Sequence, residues 1–563
     1  MASPVTTGVQ PCPAAPCFVG IDVGTGSARA GIFDATGRML ASAKRDLLIF
    51  REAGAVAEQS STQIWNAITE SVRDALAASG LAPDAIRGIG FDATCSLVVL
   101  DEHGRGLAVG RSEDSARDVI LWMDHRARDQ ARRINAGGHP VLAFVGGQIS
   151  PEMQTPKLLW LAENRASTFA AAGHFFDLVD FLTWRATDSF TRSGCTVTCK
   201  WTYLGREQRW DETFFRSVGL GMLADEQFRR IGTNIASPGT ALGAGLTARA
   251  ATELGLLPGT PVAAGLIDAH AGGVGTVGAR DARLPNGGGA EQMMAYVMGT
   301  SSCTMTSTVA LTFAPGIWGP YRSAMVPGLW LLEGGQSAAG AAIVELLRWH
   351  PLHDQLATAA AAAGQGLADL LAERALLATG GDASATIRLA DGLHVVPEFL
   401  GNRAPHADPY TRAAIVGLGM DADENSLIAL YVAGIAGLGY GLRQILLAQE
   451  QAGARVSAIV ISGGAGRSAL VRQLLADATG LPIAVPEADE PVLLGAAMLG
   501  SVASGTSPDL ETAMAAMSSI STVLQPGGEA VVALHKERFV LFELLQTVAR
   551  AAARSALPNS TGS

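Results

Sequence analysis

The sequence predicts an α/β protein made of two related domains that face one another. Three observations carry this. Apolar strand-like runs alternate with amphipathic helical stretches along the chain. A strand that ends in a small, hydroxyl-rich loop occurs in each half: residues 18–21 lead into 22–29, and 293–298 lead into 299–302. In each half a later strand also ends in a short loop: 86–91 before Asp92-Ala93-Thr94-Cys95-Ser96, and 458–461 before Ser462-Gly463-Gly464-Ala465-Gly466. At 563 residues the chain also exceeds one ordinary core, so at least two domains are expected.

The first strand and its loop are the most specific of these elements. Phe18-Val19-Gly20-Ile21 is apolar, and Asp22-Val23-Gly24-Thr25-Gly26-Ser27-Ala28-Arg29 follows. Gly24 and Gly26 let backbone N–H groups approach an anion without a Cβ in the way. Thr25 and Ser27 add hydroxyl donors. Asp22, at the strand end, can hold a hydrated metal ion beside phosphates. Residues 30–33 are again apolar and Asp34-Ala35-Thr36-Gly37 reads as a turn, so the loop joins two strands of a hairpin. This excludes the dinucleotide fingerprint, whose third glycine opens a helix. None of the four lysines (Lys44, Lys157, Lys200, Lys536) follows a glycine, which excludes a Walker A loop.

The helix predicted over 61–78 and the strand over 86–91 complete the first unit. A Gly/Asn/Pro/Arg-rich stretch without period, 279–290, marks the domain boundary. In the second half, a helix over 422–449 precedes the strand at 458–461. The longest apolar run, 427–442, falls short of the ~20 residues a bilayer span needs and holds four glycines. It reads as a buried helix packed closely through Gly434, Gly437 and Gly441, and no membrane association is expected.

The net charge of -11 argues against general nucleic-acid binding. The six cysteines are scattered, and Cys195 and Cys199 have no second Cys/His pair nearby in sequence. Reduced thiols in a cytoplasmic protein are therefore expected, rather than a zinc site. Residues 1–16 lack the basic and apolar regions of a signal peptide.

Several residues are candidates for chemistry. The apolar run 261–267 delivers Asp268 just before Ala269-His270-Ala271-Gly272-Gly273. Asp268 suits a helix N-cap or a general base acting on a hydroxyl beside a phosphate, and the small residues behind it leave room for a ligand. Trp122, Asp124 and Arg126 suit either a sugar site or a helix start. Lys200 sits among apolar and hydroxyl residues, as a buried contact or a surface cation. Glu333, closing a strand at 329–332, suits a ligand contact or a turn. Gly463, Gly464, Ala465 and Ser468 precede a helix over 468–478, whose N-terminus would accept a phosphate or adenosine.

With these residues in place the chain resembles the FGGY carbohydrate kinases, from residue 18 to about 500, with the motifs in order. Asp22 to Arg29 looks like the first phosphate loop, and Gly299, Thr300 and Ser301 like the second. Met153 to Leu161 resembles a typical helix segment, Asp268 matches the catalytic aspartate, and Gly463-Gly464-Ala465 matches the adenosine loop. Gly401-Asn402-Arg403-Ala404-Pro405 with Asp408-Pro409 resembles the second signature, and Glu490-Pro491 through Ala497 the final helix. Thr94-Cys95-Ser96-Leu97-Val98 resembles the motif of the D-ribulokinase group. One departure is Val432 and Ala436, where the wider family often carries Arg and Glu.

The resemblance implies two actin/hexokinase/Hsp70-like (ribonuclease H-like) domains with a cleft between them. It implies an N-terminal tail over 1–16, domains over 17–285 and 286–550, and a tail over 551–563. It implies ATP and Mg²⁺, with Asp22 holding the ion through water. Asp22, Gly24, Thr25, Gly26, Ser27, Arg29, Gly299, Thr300, Ser301, Gly463, Gly464, Ala465 and Ser468 would contact nucleotide. Ala93, Thr94, Cys95, Trp122, Asp124, Arg126, Lys200, Asp268 and Glu333 would contact a sugar. The expected reaction is phosphorylation of a ketopentose, D-ribulose foremost, with L-ribulose, ribitol and D-xylulose as alternatives. A non-catalytic actin-like ATPase or sugar sensor is the alternative of another class. A homodimer is expected by family analogy alone.

Overall fold

The two halves of the chain fold into sheets with the same strand order. The computed structural model describes residues 16–53 and 56–555. Most of the expected N-terminal tail and the end of the C-terminal one lie outside these residues. In the N-terminal sheet the order is Met39–Asp46, Ser27–Asp34, Cys17–Val23, Ile86–Ala93, Leu266–Ile267. The first three are antiparallel neighbours and the last three run parallel. The C-terminal sheet repeats this as Trp330–Gln336, Ser302–Thr308, Met293–Met298, Ala458–Ser462, Ile483–Pro486. It adds Trp318–Arg322 at one edge and Ile520–Leu524 at the other.

The expected hairpin at 18–33 is present, Cys17–Val23 pairing antiparallel with Ser27–Asp34. Its far turn is closed by Asp34, whose carboxylate accepts from the N–H groups of Thr36 and Arg38, while Gly37 takes φ +84°. The buried-helix reading of 427–442 also holds. Glu424–Gln451 lies on the C-terminal sheet, with Gly437 so close to Val395 that a Cβ would sit 2.3 Å from its carbonyl oxygen. Val432 and Ala436 are fully buried on this helix and serve packing.

Parallel strands with one orientation bring their carboxyl ends to one edge, where the loops collect. At the N-terminal sheet these are the loop after Val23, the segment from Ala93 to Ser96, and Asp268. At the C-terminal sheet they are the loops after Met298 and Ser462.

Two differences from expectation follow from local pairing. Glu333 lies inside the strand Trp330–Gln336 and does not close it: Gly334 and Gly335 stay extended because they pair with Thr304 and Cys303. The C-terminal helix Glu529–Ser555 runs past the expected tail start at 551, carried by an alanine-rich last turn with high helix propensity.

The helix Pro491–Ala503 comes late in the chain, yet it packs on the N-terminal sheet and on the helix Asp268–Val277. The approach is backbone to backbone. A Cβ on Gly90 would sit 1.9 Å from the carbonyl oxygen of Ala496, and one on Gly20 2.0 Å from that of Leu493. Gly495 meets Ala271 in the same way, at 1.9 Å. A main-chain oxygen cannot rotate aside, so each position excludes a side chain.

Gly90→Ala is expected to destabilise the protein by about 1–3 kcal/mol, the range for overpacking a close-packed interior. Thermal denaturation checks it against Gly528→Ala, whose added Cβ meets nothing within 4 Å and is expected to leave the melting temperature in place.

Candidate active site

Asp22 and Asp92 are partners across the parallel strands Cys17–Val23 and Ile86–Ala93, so the pleat sets two carboxylates side by side. Asp268 follows one strand over, as the first residue of the helix Asp268–Val277. It is no N-cap: Ile267 holds that place, and among the described residues the Asp268 carboxylate accepts only from the adjacent Ala269 N–H, at 2.7 Å. Burial and the nearby Asp22 charge push Asp268 up to about 6. Asp92 is fully buried, and among the described residues both its oxygens lack a hydrogen-bond donor. Burial, Asp22 and Asp268 together hold its pKa well above the carboxylate range. Two facing carboxylates have no donor between them, so the pair needs a proton or a cation.

Asp22 is partnered by Arg29, which also donates to Glu490 at 2.5 Å. Arg29 thus ties the first phosphate loop to the start of the helix Pro491–Ala503. Its side chain is 30% exposed, so the guanidinium holds these carboxylates and still reaches the surface beside the first phosphate loop.

The two phosphate loops share a feature: Gly24 N–H donates to Ser27 O at 3.0 Å, and Gly299 N–H to Ser301 O at 2.9 Å. Their tips, Gly26 and Thr300, are exposed, and a Cβ on Gly26 would meet nothing within 4 Å. Gly463, at φ +92°, sits against the backbone of Met298, with Gly464 exposed beyond it. Ser468 is the N-cap of the helix Ala469–Thr479, its hydroxyl accepting from Val471 N–H while keeping an O–H to donate.

On the sugar side, Ala93, Thr94 and Cys95 are all buried along the loop that leaves the strand Ile86–Ala93. Thr94 bonds Ser96 at 3.1 Å, and Ser96 in turn accepts from Trp122 N–H. The Trp122 indole donates to Thr25 at 3.0 Å, coupling this loop to the first phosphate loop. Lys157, on the helix Gln154–Asn164, donates to Leu121 O, and Gln154 to Cys95 O, so the Met153–Leu161 segment braces both loops from behind.

Asp124 and Arg126 are not free to meet a ligand. Asp124 is buried and the Arg126 side chain is 3% exposed; they pair with one another at 2.7 Å, and Arg126 also pairs with Glu58 at 2.7 Å. They begin no helix either, since the next one starts at Arg128. The expected sugar contact is corrected to a buried strut, of a kind whose breakage costs about 3–5 kcal/mol.

Lys200 is buried and faces Glu333 at 3.8 Å, joining a helix of the first half of the chain to a strand of the second. Burial pulls the Lys200 pKa down, but Glu333 and neighbouring groups hold it well above the usual value. Burial would raise Glu333; Lys200 and His270 bring it down to about 2. The pair is therefore fully charged at neutral pH. Trp318 stands over the Lys200 ammonium at 5.1 Å.

Four residues here escaped sequence reasoning. His270 lies 3.5 Å from Glu333 and 3.1 Å from Cys195 Sγ. Glu152 is held below the usual carboxylate range, against burial, by His125, Arg403 and Lys200. Arg403 lies 3.8 Å from Cys303 Sγ. Asp92 is the fourth. Its signal was its place at a strand end in register with Asp22, and that of His270 its place two residues after Asp268. Glu152 and Arg403 come from loops whose convergence no spacing reveals.

Residues 17–275 match the N-terminal domain of the FGGY family of carbohydrate kinases, and residues 294–504 match its C-terminal domain. The chain belongs to the FGGY family of carbohydrate kinases. Family kinases use ATP. The kinase is 44% identical over 514 residues to a human FGGY carbohydrate kinase domain-containing protein, covering 90% of this chain and 92% of that one. It is 38% identical over 517 residues to a D-ribulokinase of Saccharomyces cerevisiae, covering 87% and 72%. A ligand-bound xylulose kinase from Lactobacillus acidophilus shares the fold, with TM-score 0.76 and 20% identity over 96% of the kinase and 99% of that chain.

Asp268 accepts a proton only when ionised, and its pKa is raised to about 6. The kcat/KM of the kinase for its sugar is expected to fall about tenfold per unit below pH 6 and to level off above it. A pH–rate profile flat down to pH 4.5 contradicts the role of base proposed below for Asp268.

Proposed function

We propose that this kinase transfers the γ-phosphoryl group of ATP to a terminal hydroxyl of a ketopentose, with D-ribulose as the preferred acceptor and D-ribulose 5-phosphate as product. The observation that carries the reading is the buried Lys200–Glu333 pair, which joins the two halves of the chain next to His270, two residues after Asp268. A fixed ammonium and a fixed carboxylate recognise the carbonyl and hydroxyl oxygens of a small polar sugar in a water-poor site. The Thr94–Val98 motif and the similarity to the yeast D-ribulokinase favour ribulose among the pentoses.

The residues at the three strand ends fit a divalent cation. Asp92 supplies two buried oxygens without donors, next to Asp22. Asp22 and Asp92 would hold Mg²⁺, with water completing the set. When bound, Mg²⁺ neutralises charge on the β- and γ-phosphates. The N–H groups of Thr25, Gly26, Thr300 and Ser301 and the hydroxyls of Thr25, Thr300 and Ser301 would bind the phosphates from both sides, and Gly463 and Gly464 would bound the nucleoside. Lys200 and Glu333 orient the sugar so that its terminal hydroxyl lies beside Asp268. Asp268 then accepts the hydroxyl proton as the new O–P bond forms. Phosphoryl transfer depends chiefly on positioning and charge neutralisation, so a base with a pKa near 6 suffices. Closure of the two domains excludes water and suppresses ATP hydrolysis.

A coupled assay for ADP release over D-ribulose, L-ribulose, D-xylulose and ribitol tests the assignment. D-ribulose is expected to give the highest kcat/KM by at least about tenfold, the discrimination of a site that hydrogen-bonds its substrate. A higher value with D-xylulose or a pentitol overturns it.

A further inference from the structure

We infer that Cys195, Cys199 and His270 form a binding site for a thiophilic cation of the Zn²⁺ class, and that filling it shuts the sugar site. The spacing of the two cysteines suggests no such site in the sequence, because the third ligand lies more than seventy positions away. The fold supplies it. Cys195 and Cys199 lie one turn apart on the helix Gly194–Lys200, so their sulfurs share a face. The helix Asp268–Val277 delivers His270 to that face. The three ligand atoms lie within 4.8 Å of one another, and all three residues are buried.

Two further observations point to a cation here. The His270 ring turns Nδ1 toward Cys195 at 3.1 Å and Nε2 toward Glu333 at 3.5 Å. A metal-binding histidine typically presents its second nitrogen to a carboxylate in this way. His270 Nε2 and Glu333 Oε2 are buried and have no other hydrogen-bond partner among the described residues. The N–H of Ile267 also points at Cys195 Sγ, at 3.5 Å, as a donor that would support a sulfur ligand.

The donor set decides the metal. Two sulfurs and an imidazole select Zn²⁺ and similar soft cations, and they disfavour the Mg²⁺ that accompanies ATP. Three protein ligands leave a fourth position for water. Consequences for the sugar follow from connectivity, and this part rests on the proposed function. Cys199 precedes Lys200, and His270 faces Glu333, so a metal would pull on both charged groups of the sugar site while leaving the phosphate loops alone.

The test uses the full chain, freed of transition metals and kept in excess Mg²⁺, titrated with Co²⁺ as an optical probe. One equivalent is expected to bind with a thiolate-to-cobalt charge-transfer band, and Zn²⁺ is expected to displace it. Cys195→Ser and Cys199→Ser are each expected to weaken binding by at least about tenfold, while Cys303→Ser keeps the band. Using both cysteine variants, each checked for a cooperative thermal melt, guards against one that fails to fold. Absence of the band in the wild-type protein, or its survival in both folded variants, overturns the site. In the kinetic arm, Zn²⁺ is expected to raise the KM for D-ribulose more than tenfold and leave ATP binding unchanged. An unchanged KM at full cobalt or zinc occupancy overturns the switch. If no pentose is phosphorylated, the proposed function fails, and the optical arm still decides the site.

Discussion

The structure depends on one contact: the glycine-lined seat of the helix Pro491–Ala503 against the N-terminal sheet and the helix Asp268–Val277. Gly20, Gly88, Gly90, Gly275, Gly495 and Gly500 remove every side chain that would separate these backbones. The element that follows the C-terminal sheet's last parallel strand thereby becomes part of the N-terminal layer. One apolar core runs from Phe18 through Leu493 to Met293 and Val460, so the two sheets share it. That sharing sets the two groups of loops opposite each other. Without it the Lys200–Glu333 contact, which joins a helix of one half to a strand of the other, would have no fixed geometry.

Charge is arranged around this seam in two zones. On the phosphate side, Asp22, Asp92 and Asp268 end neighbouring strands, with Arg29 as the cation touching Asp22. This zone carries excess negative charge in a buried place, which costs stability until a cation or proton enters. On the proposed sugar side, Lys200 and Glu333 balance one another, with His270 beside Glu333. The first zone is built to receive positive charge and the second to hold a neutral polar molecule. In the proposed function the metal–nucleotide takes the first environment and the uncharged sugar the second, with Asp268 as the base between them.

Much of this was legible in the residues. The hairpin at the first phosphate loop follows from two apolar runs around a glycine loop, and the repeat at 293–302 predicts the second domain. The glycines of the helix Glu424–Gln451 read correctly as close contacts. Roles that depend on a side chain's partner were not legible. Arg126 and Asp124 carry the residue types of a sugar site, yet Glu58, from a distant strand, turns them into a strut. Arg29 is tied to Glu490, 461 positions later, a partner its neighbours in sequence do not announce. Glu333 was identified from its type, while its place inside a strand came from pairing with Ser302–Thr308 that no local pattern encodes. Asp92 was passed over because its importance lies in its register with Asp22.

The central claim is that Asp268 acts as the base at a preformed two-substrate site. The most direct measurement compares sugar-dependent ADP release with ATP binding in Asp268→Asn. The substitution keeps the side chain's size and removes its ability to accept the proton. Turnover is expected to fall by about two to four orders of magnitude, the usual contribution of general base catalysis, while ATP affinity stays within about twofold. Near-normal turnover in a variant that still binds ATP would contradict the account.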